Sequence, residues 1–64
     1  MSEDVAVAAA WLIADGLAEE TKEDEPGGLR ITSKGYDKGY NIWMVMSGED
    51  RLLVSLFLRK VRMI

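Results

Sequence analysis

Apolar positions near the start of the chain repeat with the spacing of an amphipathic helix. The i, i+3, i+4, i+7 and i+8 positions of one stripe are Val5, Ala8, Ala9, Leu12 and Ile13. Ser2 is a favourable N-cap for this helix. Gly16 occupies the position where a left-handed residue would end it near Asp15. The pattern therefore predicts a first helix between residues 3 and 15.

The other side of the same helix is apolar too. It carries Val7, Ala10, Trp11 and Ala14. A helix that is apolar all round is normally buried on all sides, which is difficult to achieve within 64 residues. We therefore expect these four residues to mediate self-association in a homodimer, with a wholly intrachain core as the alternative.

The next part of the chain predicts a β-hairpin. Residues 17–23 are mostly polar and fit a weak edge strand. Residues 29–32 alternate, so that Leu29 and Ile31 face one way. Residues 24–28, Asp-Glu-Pro-Gly-Gly, fit the turn between the strands, because proline fixes φ and glycine permits positive φ.

The pattern after the hairpin favours helices. Thr32 or Ser33 can cap a second helix that continues towards Gly48. Its apolar face carries Tyr36, Tyr40 and either Trp43 or Met44. Residues 51–64 favour a third helix, although residues 41–46 and 52–58 also fit a second hairpin. The expected order of elements is helix, β-hairpin, helix, helix.

Residues 12–19, LIADGLAE, and residues 31–35, ITSKG, resemble boundary phrases of winged-helix regulators of the multiple-antibiotic-resistance and phenolic-acid-repressor types. In those regulators a helix ends in a phrase of the form L-x-x-x-G-L-[IV]-E. The wing hairpin then runs into [LI]-T-x-K-G at the next helix.

The resemblance implies a single, minimal winged-helix-like α+β domain over residues 1–64. The C-terminal segments or a second subunit would replace the helices that precede the recognition helix in these regulators. The resemblance also implies DNA binding through the helix at residues 3–15 and the wing around residues 27–30.

The side chains of that first helix are poorly suited to reading DNA. It contains no Lys, Arg, Asn or Gln, the residues best suited to base edges, and phosphates repel its acids. The best basic cluster is Arg30, Lys34 and Lys38, in which the lysines share a helix face. We predict these three residues as the nucleic-acid contact. The alternative is that the lysines are solvated and the neighbouring tyrosines fill the core.

The composition limits the chemistry that this chain can perform. It has no cysteine and no histidine, which removes disulfides and nearly all transition-metal sites. No motif supports a serine–lysine or paired-carboxylate mechanism. The acidic run within residues 19–25 fits a solvated wing better than a Ca²⁺ or Mg²⁺ site. We therefore expect a protein that is not an enzyme and that holds neither a metal nor a cofactor.

The charge is uneven along the chain. Residues 1–25 contain eight acidic residues and one basic residue, whereas residues 26–64 contain seven basic and three acidic residues. This asymmetry fits a polyanion-binding face opposite an acidic one, attraction between the halves of a dimer, or solvation alone.

The length of the apolar runs and the charge near the N-terminus indicate the expected cellular location. The longest apolar run covers residues 5–14, well short of the roughly 20 residues that span a membrane. Acidic residues follow Ser2, where a signal peptide would carry positive charge. We expect a soluble, cytoplasmic protein without a membrane partner.

Two functional hypotheses follow from the sequence. The first is a small regulatory binding module of the winged-helix type that associates with DNA through its basic wing and helix face. The second is a protein–protein adaptor or inhibitor that uses an acidic or apolar surface and binds no nucleic acid.

Overall fold

The computed structural model describes residues 2–21, 28–41 and 43–63. These residues form three helices and three strands in the order α–β–β–α–β–α. The elements are α1 (Glu3–Ala14), β1 (Ala18–Glu20), β2 (Gly28–Ile31), α2 (Ser33–Asp37), β3 (Trp43–Val45) and α3 (Gly48–Met63). The α+β class predicted from the sequence is confirmed.

The helix α1 begins and ends where the sequence places its caps. The Ser2 hydroxyl accepts a hydrogen bond from a backbone N–H in the first turn. Gly16 has a φ of +74°, and its N–H donates to the carbonyl of Ile13 at 3.0 Å. The N–H of Leu17 donates to the carbonyl of Leu12 at 2.9 Å. This pair of bonds is a Schellman motif, which satisfies the last carbonyls of the helix.

The three strands form an antiparallel sheet in the order β1-β2-β3. Glu19 of β1 lies opposite Arg30 of β2, and Arg30 lies opposite Trp43 of β3. The predicted hairpin of β1 and β2 is therefore confirmed in its strands. Its predicted turn at residues 24–28 lies outside the described residues, except for Gly28, which begins β2.

The prediction of one long second helix towards Gly48 is wrong. The helix α2 ends at Asp37, and Gly39 follows with a φ of +88°, a conformation that turns the chain out of the helix. Residues 43–45 then pair with β2 as the third strand. The observed order contains a strand between α2 and α3 that the predicted helix–hairpin–helix–helix order lacks.

The segment after Ser47 is a helix, as the leucine-rich pattern favours. The alternative hairpin of residues 41–46 with 52–58 is wrong, because β3 pairs with β2 and residues 52–58 belong to α3. Ser47 and Asp50 form a reciprocal capping box, in which each backbone N–H donates to the other side chain at 3.2 Å. These bonds fix the point at which α3 starts.

The core lies where α1 and α3 meet the inner face of the sheet. Its buried members are Ala6, Ala9, Ala18, Leu29, Ile31, Met46 and Val54. Leu29 and Val54 are the largest of the fully buried side chains. Complete burial of each contributes roughly 1.5–3 kcal/mol relative to exposure. The alanines leave room for α3 to lie close against α1.

The molecule is thin. Its extents are 31 × 29 × 18 Å. The shortest dimension agrees with the thickness of one helical layer packed on one sheet. The outer face of the sheet is consequently open to solvent. None of the described helices has the length and apolar character needed to cross a bilayer.

Candidate functional site

The two phrases that resemble winged-helix regulators contact each other in the fold. The backbone N–H of Thr32 donates to the carbonyl of Leu17 at 3.1 Å, and its hydroxyl donates to the carbonyl of Gly16 at 2.6 Å. The same hydroxyl accepts the N–H of Gly35 at 3.2 Å and so caps α2. The end of α1 is thereby joined to the start of α2 by hydrogen bonds.

A glycine permits this close approach. A Cβ atom at position 35 would collide with the carbonyl oxygen of Leu17 and with Cγ2 of Ile31. Gly35 is buried, although it lies in a five-residue helix whose other members are exposed. The glycine of the second phrase is therefore a packing residue.

An open concavity of about 370 Å³ lies beside this junction. Its lining residues are Asp15, Leu17, Lys34, Lys38 and Tyr40. The ammonium group of Lys34 donates to the carbonyl of Asp15, the C-cap of α1, at 2.8 Å. A cation at the C-terminal end of a helix is favoured by the helix dipole. Lys34 thus has a structural partner inside the chain.

The structure brings the two predicted lysines together but places Arg30 elsewhere. Lys34 and Lys38 line the same concavity, whereas Arg30 is not among the lining residues. Arg30 lies on β2, where its Nε donates to Oε1 of Glu19 across the strand pair at 2.7 Å. Both side chains are about half exposed, so this ion pair contributes on the order of 0.5 kcal/mol. The predicted basic cluster is therefore divided between two surfaces.

The local charge of the concavity is mixed. Two lysines line it together with Asp15, and Asp37 precedes Lys38 in the chain. Among the residues that the structure describes, no group of three or more carboxylates could hold a metal ion. Part of the acidic run, Glu23 to Glu25, lies outside those residues.

The open face of the sheet carries apolar side chains that sequence reasoning assigned to a helix. Trp43 and Val45 alternate with Met44 along β3 and are 59% and 64% exposed. Glu19, Arg30 and Trp43 lie side by side in one row across the three strands. The sequence signal for this face is weak, because three consecutive apolar residues fit a strand and a helix equally well.

The predicted self-association residues of α1 differ in their exposure. Ala10 is fully buried within the chain, and Val7 is partly buried. Trp11 is 44% exposed, and Ala14 is exposed. The intrachain fold therefore covers part of this face, and the predicted self-association would have to use Trp11 and Ala14.

No protein-family model matches this chain, and neither the curated proteins nor the solved structures contain a significant match. The winged-helix resemblance thus remains a prediction.

Proposed function

We propose that this protein is a small non-enzymatic regulatory module that binds another protein through the open face of its sheet. The observation that carries the proposal is Trp43, which is more than half exposed and lies opposite Arg30 in the sheet. Tryptophan and arginine are the residues most enriched at the energetic centres of protein interfaces. Val45 extends the apolar surface beside them.

The position of β3 indicates the kind of partner. β3 is an edge strand in the sheet order, and its outer edge has no partner strand among the described residues. An extended segment of a partner can add to such an edge through its backbone and place apolar side chains over Trp43 and Val45. The partner that fits is therefore an extended, apolar peptide segment.

The proposed scaffold is a reduced winged helix in which β1 and β2 form the wing. The order α1, hairpin, α2 supports it, as does the hydrogen-bonded contact between the two family-like phrases. The absence of histidine and cysteine from the sequence supports a binding role rather than catalysis.

Site-specific photo-crosslinking tests the protein-binding proposal. Benzoylphenylalanine in place of the exposed Val45 should form one saturable crosslinked product in cells, and the same probe in place of Tyr36, an exposed aromatic residue of α2, should not. The purified partner should then bind the Trp43→Ala variant at least about tenfold more weakly than the unmodified chain. Equal crosslinking at both positions, or unchanged affinity of the alanine variant, would contradict the proposal.

DNA binding is the second candidate, and the pairing of Lys34 with Lys38 in one concavity favours it. Two lysines beside an exposed tyrosine are able to contact adjacent phosphates. The nearby carboxylates and the capping role of Lys34 weaken this surface relative to the apolar sheet face.

A fluorescence anisotropy titration with duplex DNA at several salt concentrations tests this candidate. Binding through the lysines should weaken steeply with salt and be lost in Lys34→Glu/Lys38→Glu. Arg59→Glu/Lys60→Glu is the matched control, because it makes the same charge change on α3. Absence of binding at low salt, or equal loss in both variants, would exclude specific use of Lys34 and Lys38.

A further inference from the structure

The outer face of α3 carries large apolar side chains that the fold leaves exposed. Leu52, Leu56 and Met63 are 63%, 46% and 86% exposed. At about 100° per residue, they project within roughly 40° of one another on the side opposite Val54. Val54 is fully buried in the core. The helix α3 therefore carries a solvent-exposed apolar stripe opposite its buried face, with the exposed Arg59 at the edge of the stripe.

Charged residues give α3 an acidic end and a basic end. Glu49 and Asp50 lie in its first turn, and Lys60 and Arg62 lie in its last turn. A parallel pair of such helices would bring like charges together. An antiparallel pair would bring the acidic end of each helix to the basic end of the other, which the two helix dipoles also favour.

We propose that the outer face of α3 binds the same face of a second copy of this chain in an antiparallel, two-fold symmetric pair. A two-fold axis level with Val54 sets Leu52 of one copy beside Leu56 of the second copy. In this register Glu49 and Lys60 of the second copy lie at nearly the same height along the helix axis. Their heights differ by about 1.5 Å, the rise of one residue. Each contact occurs twice, because a two-fold interface uses the same patch on both copies.

Two oppositely charged side chains flank the Leu52–Leu56 stripe. Glu49 and Lys60 are both exposed and project on the same side of the Leu52–Leu56 stripe. The Lys60 ammonium lies 5.4 Å from the centroid of the Phe57 ring in its own helix. This contact draws Lys60 towards Phe57 and away from the Leu52–Leu56 stripe, so the ammonium has to leave the ring to meet Glu49 of the second copy.

The size of the interface sets the expected affinity. One face of a 16-residue helix buries less than the roughly 800 Å² per partner of a standard stable interface. An interface of this size is typical of weak, transient association, so the dimer should form only at high protein concentration. This surface is on the helical layer, so it is separate from the open sheet face of the proposed function. It also differs from the α1 surface predicted from the sequence.

Sedimentation equilibrium of the full chain up to about 1 mM tests the surface. The unmodified chain should approach twice its monomer mass, and Leu56→Asp should raise the dissociation constant roughly a hundredfold. Ser55→Asp is the matched control, because Ser55 is exposed on the same helix but lies to the side of the stripe. It should dimerise as the unmodified chain does. Circular dichroism and the melting temperature should confirm that both variants remain folded.

A charge exchange tests the register. Glu49→Lys and Lys60→Glu should each weaken the dimer roughly fivefold, and the double variant should restore it, because each pair is re-formed with reversed sign. A parallel or shifted seam predicts no such restoration, and that result would overturn the antiparallel register.

Two further outcomes would overturn the proposed surface. They are a monomer at 1 mM and a dimer that survives Leu56→Asp. If such a surviving dimer were lost in Trp11→Asp, self-association would be assigned to α1. None of these results bears on Trp43, so the proposed protein-binding function stands or fails by its own experiment.

Discussion

Gly35 lies so close to the carbonyl group of Leu17 that a Cβ atom at position 35 would collide with the carbonyl oxygen, and this approach joins the start of α2 to the end of α1. Hydrogen bonds from Thr32 to the carbonyls of Gly16 and Leu17 lie beside it. The orientation of α2, and with it the position of both lysines of the concavity, depends on this junction.

Replacement of Gly35 should therefore destabilise the fold. In Gly35→Ala the new Cβ meets a backbone carbonyl that cannot move without breaking the α1 cap, so we expect a loss of about 3 kcal/mol. Urea denaturation followed by tryptophan fluorescence measures this loss. Gly48→Ala is the control, because a Cβ there meets nothing within 4 Å, and its stability should stay within about 1 kcal/mol. Equal losses in the two variants would refute the junction argument.

The hydroxyl of Thr32 should have an energetic role of its own. It donates to the carbonyl of Gly16 and accepts from the N–H of Gly35, so Thr32→Val removes both bonds while keeping the side-chain shape. We expect a loss of about 1–2 kcal/mol in the free energy of unfolding. Thr32→Ser keeps the hydroxyl and should lose less than about 0.5 kcal/mol. If serine and valine behave alike, the hydroxyl does not hold the junction.

The capping box of α3 should control the stability of that helix. Ser47→Ala removes the acceptor for the N–H of Asp50, and about 1 kcal/mol of stability should be lost. Ser47→Asp supplies a new N-cap acceptor and should retain most of that stability. Thermal unfolding monitored at 222 nm compares the two, and an alanine variant as stable as the aspartate variant would contradict the capping role.

Replacement of the buried Leu29 should strongly reduce the stability of the fold. It is 1% exposed on the central strand, and Leu29→Ala should cost about 2–5 kcal/mol through lost burial and a residual cavity. Such a loss approaches the whole stability expected of a domain of this size. Leu52→Ala removes the same atoms from a side chain that is 63% exposed, and in dilute solution it should cost less than about 0.5 kcal/mol. The comparison is made by urea denaturation of both variants.

Local signals correctly predicted several boundaries. Ser2 and Gly16 bound α1 because a cap acts on the nearest turn of backbone and needs no distant contact. The alternation at residues 29–32 likewise predicted β2, and the leucine-rich segment after residue 51 favoured the helix α3 over a second hairpin.

The same reasoning was wrong for residues 38–46. The spacing of Tyr36, Tyr40 and Met44 fits a helical face, yet Tyr36 and Tyr40 are exposed and Met44 lies on a strand. The close approach of β3 to β2 requires a glycine at position 28. A side chain there would collide with the carbonyl of Met44. The residues that pair between β2 and β3 are 13 to 17 positions apart in the chain, and such partners are not visible in local periodicity.

Caps and periodicity act within a few residues, so the amino-acid sequence alone was enough to predict the α+β class, the caps of α1 and the strands of the hairpin. It favoured a helical C-terminal segment over a second hairpin. Three other features follow from the folded chain alone: residues 43–45 form a third strand, Arg30 pairs with Glu19 away from Lys34 and Lys38, and Ala10 is buried while Trp43 and Leu52 are exposed. These outcomes depend on which distant segments meet, and therefore on the packing of the whole chain.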